Sequence, residues 1–179
     1  MVEPLLHFAV PFTSVRATGL DWRKALFASL VALTPDLDVL FNVHRSESHS
    51  LILLTIVVVP LLILTRKHKT LRTLVLLGTL GILTHFMLDL FQNPVPLLWP
   101  LLNQSLSIST ILDLHIGSAP SVTGSVDVQV GQEPIEPFSH FDAPLVTTEG
   151  FCISLLLLLP SILLILKGYR PRGLGSSVA

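Results

Sequence analysis

Eight residues are of types that bind metals, move protons or grip anions, in a sequence otherwise too apolar to carry them idly: His7, Asp36, Asp38, His44, Arg45, His49, His85 and Asp89. Imidazoles and carboxylates together make a hard-to-borderline N/O donor set, suited to a divalent metal, Zn²⁺ before Mn²⁺ or Fe²⁺. With few protein ligands per ion a water position stays open, and bound water becomes a nucleophile near neutral pH. The expected chemistry is metal-assisted hydrolysis, a metal-bound hydroxide attacking an ester. His85 and Asp89 are four residues apart, about 40° around a helix, and point from one face. His44 and His49 are five apart, about 140° on a continuous helix. They converge only if the helix starts near Ser48, as N-cap, and leaves His44 and Arg45 in the preceding loop. Asp36 and Asp38 follow Pro35 in a Pro-Asp-Leu-Asp stretch that ends the helix before it. One of them is expected to ligate while the other bridges or orients a histidine, and either serves as general base. Arg45 carries a rigid fork of donors that suits a phosphate or carboxylate oxygen and developing negative charge; its competing role is a salt bridge to Asp38 or Glu47. Ser50 reads as a capping or supporting hydroxyl, because no separate base and oxyanion hole can be named to make it a nucleophile.

The elements that must position these groups are membrane helices. Of 179 residues, 50% belong to the apolar set and 13% are charged, with a mean hydropathy of +0.72; a soluble domain averages about 25% charged. Three runs stand out: Ser50 to Thr65, Thr73 to Leu88 with only His85 ionisable, and Gly150 to Leu166. Each lies at the short edge of what crosses a bilayer as a helix. Pro60 and Pro160 fall inside two of them, as membrane helices tolerate. A soluble bundle would lack the polar surface to cover three such runs. Leu5 to Thr18 and Ala25 to Leu40 form a first, shorter helical hairpin. No basic segment precedes the first apolar stretch, so a cleaved signal peptide is not expected.

Folding the sequence at its basic tips brings the eight residues to one end. The cluster Arg66, Lys67, Lys69 and Arg72 is centred near residue 69, which sets His49 opposite Asp89 in an antiparallel hairpin; His85 lies one turn deeper. The tip from Arg16 to Lys24 is centred on residue 20, which sets His7 opposite residue 33, within a turn of Asp36. From Thr73 to Leu166 there is no lysine or arginine. The positive-inside rule puts the 66–72 turn, the first tip and the tail with Lys167, Arg170 and Arg172 in the cytoplasm, and the eight residues outside.

The expected fold class is all-α: a multi-pass transmembrane bundle of two N-terminal helical hairpins plus a C-terminal helix, with a partly ordered extracytoplasmic insertion. Residues 1–102 form the metal-binding helical membrane domain, 103–149 the insertion, 150–167 the C-terminal transmembrane helix and 168–179 a cytoplasmic tail. Within the insertion only Ser125 to Val130 alternates like a strand. His68 is a solvated residue of the basic turn, and His115 and His140 are loop residues. A net charge of −1 without a long basic block gives nucleic acid no footprint. The single cysteine, Cys152, allows no internal disulfide. Membrane lipids and a small-molecule or lipid substrate are the expected partners.

Pro35-Asp36-Leu37-Asp38, His44-Arg45-x-x-x-His49-Ser50, Gly81-x-x-x-His85-x-x-x-Asp89 and Leu98-Trp99-Pro100, in this order, resemble the YdjM-like family of membrane-bound, metal-dependent hydrolases, over residues 1–102. The family is also described as LexA-binding and inner-membrane-associated, and is distantly similar to the zinc-dependent phospholipase C and P1 nuclease group. The resemblance implies a helical multi-pass protein with metal ligands at His7, Asp36, His44, His49, His85 and Asp89. This sequence departs from the family in having Val39 after the second aspartate, where a histidine or asparagine is frequent. The LexA-binding label belongs to the cytoplasm, opposite the side assigned to the metal site, and is not carried over.

Two rival functions use the same residues. A metal or proton transporter would need polar groups continuing toward the cytoplasmic tips, where the runs are almost wholly Leu, Ile and Val. A non-catalytic protein whose metal clamps two hairpins together would keep no open coordination position.

Overall fold

The structure, a computed structural model, describes residues 3–42, 47–116, 119–132 and 146–167. Helix α1 (Pro4–Ala17) begins with a proline, whose missing N–H costs nothing in a first turn. It ends at Gly19, whose φ of +78° only glycine adopts freely. Arg16 Nη1 closes the turn by donating to the Leu20 carbonyl at 2.6 Å, and α2 (Trp22–Ala32) returns antiparallel. As the Pro-Asp-Leu-Asp stretch predicts, α2 stops before Pro35. The chain continues as a 3₁₀ segment, Pro35–Phe41, which terminates at Asn42 in the left-handed region.

A 3₁₀ turn, Glu47–His49, precedes α3 (Leu51–Leu64), and α4 runs from Lys69 to Leu90. Ser50, not Ser48, caps α3: its hydroxyl accepts from Leu53 N at 3.3 Å. The cap lies two residues later than the sequence predicts because the 3₁₀ turn occupies the intervening residues. Helix α5 is Thr148–Leu166.

Among the described residues, α4 packs mainly on α2, α2 on α1, and α1 on α5, whereas α3 touches α4 lightly and has no buried residue. The hairpins are therefore joined crosswise. Gly81 makes the close contact, since a Cβ there would run into the Ala28 carbonyl oxygen of α2. Phe12, Val15, Ala25, Ala28 and Leu77 form the apolar core beneath it. Small residues Gly150, Ser154 and Ser161 line the buried face of α5, and Thr13 Oγ1 of α1 donates to the Leu157 carbonyl at 3.0 Å. Small residues and interhelical hydrogen bonds are how helices associate where lipid removes the hydrophobic drive.

Among the described residues two helices, α4 and α5, are long and apolar enough to cross a membrane. At 14 residues, α3 spans about 21 Å and falls short of a hydrocarbon core of about 30 Å.

The all-α expectation needs correcting in the insertion. Strands β1 (Ser105–His115) and β2 (Ser121–Gly131) form a regular antiparallel hairpin. On one face Leu106 pairs with Val130, Ile108 with Val128, Thr110 with Val126, Leu112 with Gly124 and Leu114 with Val122. The other face is mostly polar, with Ser107 opposite Gln129 and Ser109 opposite Asp127. The strand predicted over 125–130 is real but longer, and its mate escaped the sequence reading. His115 lies on β1, its Nε2 3.1 Å from Thr123 Oγ1, not in a loop. His140 and residues 168–179 fall outside the described residues.

Candidate metal centre

The site gathers at the end of the bundle away from the 66–72 turn. His49 is delivered by the 3₁₀ turn before α3, Asp36 and Asp38 by the 3₁₀ segment after α2, His85 and Asp89 by the last turns of α4, and His7 by the first turns of α1. The segment after α4 holds the entry to α3: Leu51 N donates to the Leu97 carbonyl at 2.9 Å, and the Ser50 hydroxyl donates to the Trp99 carbonyl. Ser50 thus fastens the helix start.

Asp36, His49, His85 and Asp89 each offer one donor atom to a common point, all four atoms lying within 4.8 Å of one another. His49 Nε2 is 3.1 Å from His85 Nε2. Asp89 Oδ2 is 3.2 Å from His85 Nε2 and 3.3 Å from His49 Nε2, and Asp36 Oδ1 is 3.5 Å and 3.8 Å from the same two nitrogens. Ligand atoms about 2.0 to 2.2 Å from a tetrahedral zinc lie about 3.3 to 3.6 Å apart, so these separations suit a small divalent cation. Two imidazole nitrogens facing each other at 3.1 Å need a shared hydrogen, donated by one ring and accepted by the other, or a metal ion between them.

His49 is oriented from behind. Ser48 Oγ donates to Asp38 Oδ2 at 2.7 Å and lies 2.9 Å from His49 Nδ1. Since the hydroxyl has one proton and Asp38 takes it, the ring nitrogen is the donor to Ser48, and Asp38 Oδ2 stands 3.5 Å from the same nitrogen. That leaves Nε2 to face the cluster. Burial opposes charging His49, yet the carboxylates of Asp36, Asp38 and Asp89 outweigh it and raise the imidazole to about 10. Such a carboxylate behind a ligating histidine raises its basicity and fixes its tautomer.

His7 does not join the four donors. Its ring stacks on His85 with centroids 3.9 Å apart, and its Nε2 is 3.5 Å from the second carboxylate oxygen of Asp89, Oδ1. Among the described residues neither His7 nitrogen, nor His85 Nδ1, has a hydrogen-bond partner although all are buried. His49 and His85 are wholly buried, whereas the Asp36 side chain keeps 19% of its surface exposed. His44 and Arg45 lie outside the described residues.

Ser48 is the participant that sequence reasoning missed. It reads as a helix cap, and only the extra 3₁₀ turn frees its hydroxyl for Asp38 and His49.

A family model described as YdjM inner membrane protein matches residues 3–169. The chain belongs to that family. The match extends past residue 102, where the sequence resemblance stopped, and takes in the β-hairpin and α5 of this YdjM chain. The family name places its members in the inner membrane, in keeping with α4 and α5. No curated protein and no solved structure matches the chain.

Proposed function

We propose that this chain is a membrane-embedded, metal-dependent hydrolase that cleaves an ester, foremost a phosphoester, at the extracytoplasmic end of its helices. One observation carries the reading: donor atoms from three separate chain segments converge, with His49 Nε2, His85 Nε2 and Asp89 Oδ2 3.1 to 3.3 Å from one another and Asp36 Oδ1 beside the two nitrogens at 3.5 and 3.8 Å. His49, His85 and Asp89 would hold the ion and Asp36 would face its open position, with Zn²⁺ the best match to imidazole and carboxylate donors and Mn²⁺ or Fe²⁺ behind it. A cation there would supply Lewis-acid activation of a water and of the ester oxygen.

The protein's own groups do the rest. Asp36 is the exposed member of the four and is assigned the proton of the attacking water. The water oxygen bonds to phosphorus, the bond to the leaving alcohol breaks, and the leaving oxygen takes the proton. Asp38 and Ser48 hold the His49 ring. His7 packs on His85 and backs Asp89 from its other oxygen. From sequence alone, Arg45 is assigned the developing negative charge and His44 a further ligand position. The basic 66–72 turn lies at the opposite end of α4, which by the positive-inside rule sets the cluster outside.

The near-complete burial of His49, His85 and Asp89 favours one rival, a structural ion that clamps the helices. Metal analysis of the purified protein beside His49→Ala and Asp89→Ala tests the site, and a phosphoester assay with chelation and readdition of Zn²⁺ or Mn²⁺ tests the chemistry. The hydrolase reading expects metal in the wild type alone and turnover that follows it. Equal metal in all three proteins removes the site; metal without turnover leaves the clamp.

A further inference from the structure

Beside the cluster, between α2, α3 and α4, runs a groove of about 390 Å³. Its upper rim is formed by Val31, Leu54 and Ile82. Each is three to five residues from a member of the site: Val31 from Asp36, Leu54 from His49, Ile82 from His85. Its floor is at Thr65 and Leu71. From Leu54 to Thr65 on α3, and equally from Leu71 to Ile82 on α4, the groove follows the helices for about 16 Å, close to the depth of one leaflet, half of a hydrocarbon core of about 30 Å. Apart from Thr65 and Thr79 the lining is aliphatic, aromatic or glycine. Its α3 wall contributes no buried residue, so the groove lies open to lipid along its side.

We infer that this groove seats one acyl chain of a membrane glycerophospholipid, which brings the phosphate of that same lipid to the His/Asp cluster. The inference rests on the hydrolase reading for its chemistry and names the substrate class for it. Lipid tails are as apolar as the groove, so the fit adds little affinity over bulk bilayer. What the groove supplies is position: a tail aligned along α3 and α4 leaves its headgroup one helical turn above the rim, beside Asp36, the accessible carboxylate. Holding the reacting groups together is worth far more in rate than in binding. Water attacks phosphorus, a phosphoester P–O bond breaks, and the freed alcohol takes the proton.

The test uses the full chain in bilayer discs of phosphatidylglycerol carrying a mid-chain diazirine, with peptides mapped after irradiation. Val58→Trp and Thr79→Phe fill the groove from opposite walls, and metal content serves as the check on the site. The expected result is photolabel on groove residues of the wild type, lost in both variants while labelling of α5 persists. Phosphatidylglycerol hydrolysis falls about tenfold or more with hydrolysis of the soluble diester bis-p-nitrophenyl phosphate unchanged. Groove labelling that survives both variants, or wild-type labelling confined to residues outside the groove, overturns the acyl-chain site. A wild type that hydrolyses neither compound overturns the hydrolase reading and the substrate assignment with it, while the labelling still decides whether the groove holds a tail.

Discussion

Asp38 stands behind His49, which it touches directly and through Ser48, and that position has a measurable signature. Asp38→Asn should weaken metal affinity about 10- to 100-fold, the usual cost of losing a carboxylate behind a ligating histidine, while Asp36→Asn should remove turnover more completely than it removes metal. Competition with a chromogenic chelator reads the first and a phosphoester assay the second; equal affinity in Asp38→Asn and wild type would deny Asp38 its role. The raised His49 imidazole gives a second prediction. In the metal-free protein it is protonated up to about pH 10, whereas an unfolded histidine loses its proton near about 6.5. Its stabilising contribution is therefore full below about 6.5 and lost as pH climbs through about 10. A bound cation must displace that proton, so between these limits metal binding should release a proton from His49 and tighten with rising pH. Calorimetry in buffers of different ionisation enthalpy counts the protons; none released would contradict the raised value. The convergence of Asp36, His49, His85 and Asp89 was legible in the sequence, because basic tips fix where each hairpin folds. The division of labour between Asp36 and Asp38 was not, because it depends on a 3₁₀ path that no periodicity encodes.

Gly81 and Ala28 bring the backbones of α2 and α4 into contact, and each stands within two turns of a site residue, Gly81 one turn before His85 and Ala28 two before Asp36. A methyl group at 81 has nowhere to go except by parting the helices. Gly81→Ala should destabilise by about 1–3 kcal/mol, as overpacking does, and should lower metal affinity more than its distance from the cluster suggests. Denaturant titration in micelles and the same chelator competition measure the two effects; unchanged metal affinity would mean that the helices adjust independently of the site. Ser50→Ala should cost about 1 kcal/mol by the loss of the α3 cap. The sequence announced α3, α4 and α5 through their uncharged runs, and α1 and α2 less sharply because their apolar stretches are short and interrupted by Arg16, Asp21, Arg23 and Lys24. It hid β1. Ser105 to His115 alternates well until Ile111 and Leu112 put two apolar residues in succession, and the serines on its polar face resemble a loop. Only the pairing with Val122, Val126, Val128 and Val130 shows the common apolar face.

At the scale of the molecule the hairpin and the bundle are loosely joined, with β1 reaching α4 and Leu106 bridging to Val95 among the described residues. Removing residues 109–127 and closing the shortened strands with Asn-Gly, a pair that favours two-residue hairpin turns, keeps the Val95 bridge. The shortened protein should bind metal like the wild type; a loss of metal would make the distal hairpin part of the site. The crosswise packing of α4 on α2 has a different consequence. Donors at 36, 49, 85 and 89 arrive on segments that enter the bilayer one after another, so no centre exists until the last of them, α4, is threaded and docked. A metal bound there would mark completed insertion, and a stalled or inverted chain should carry none.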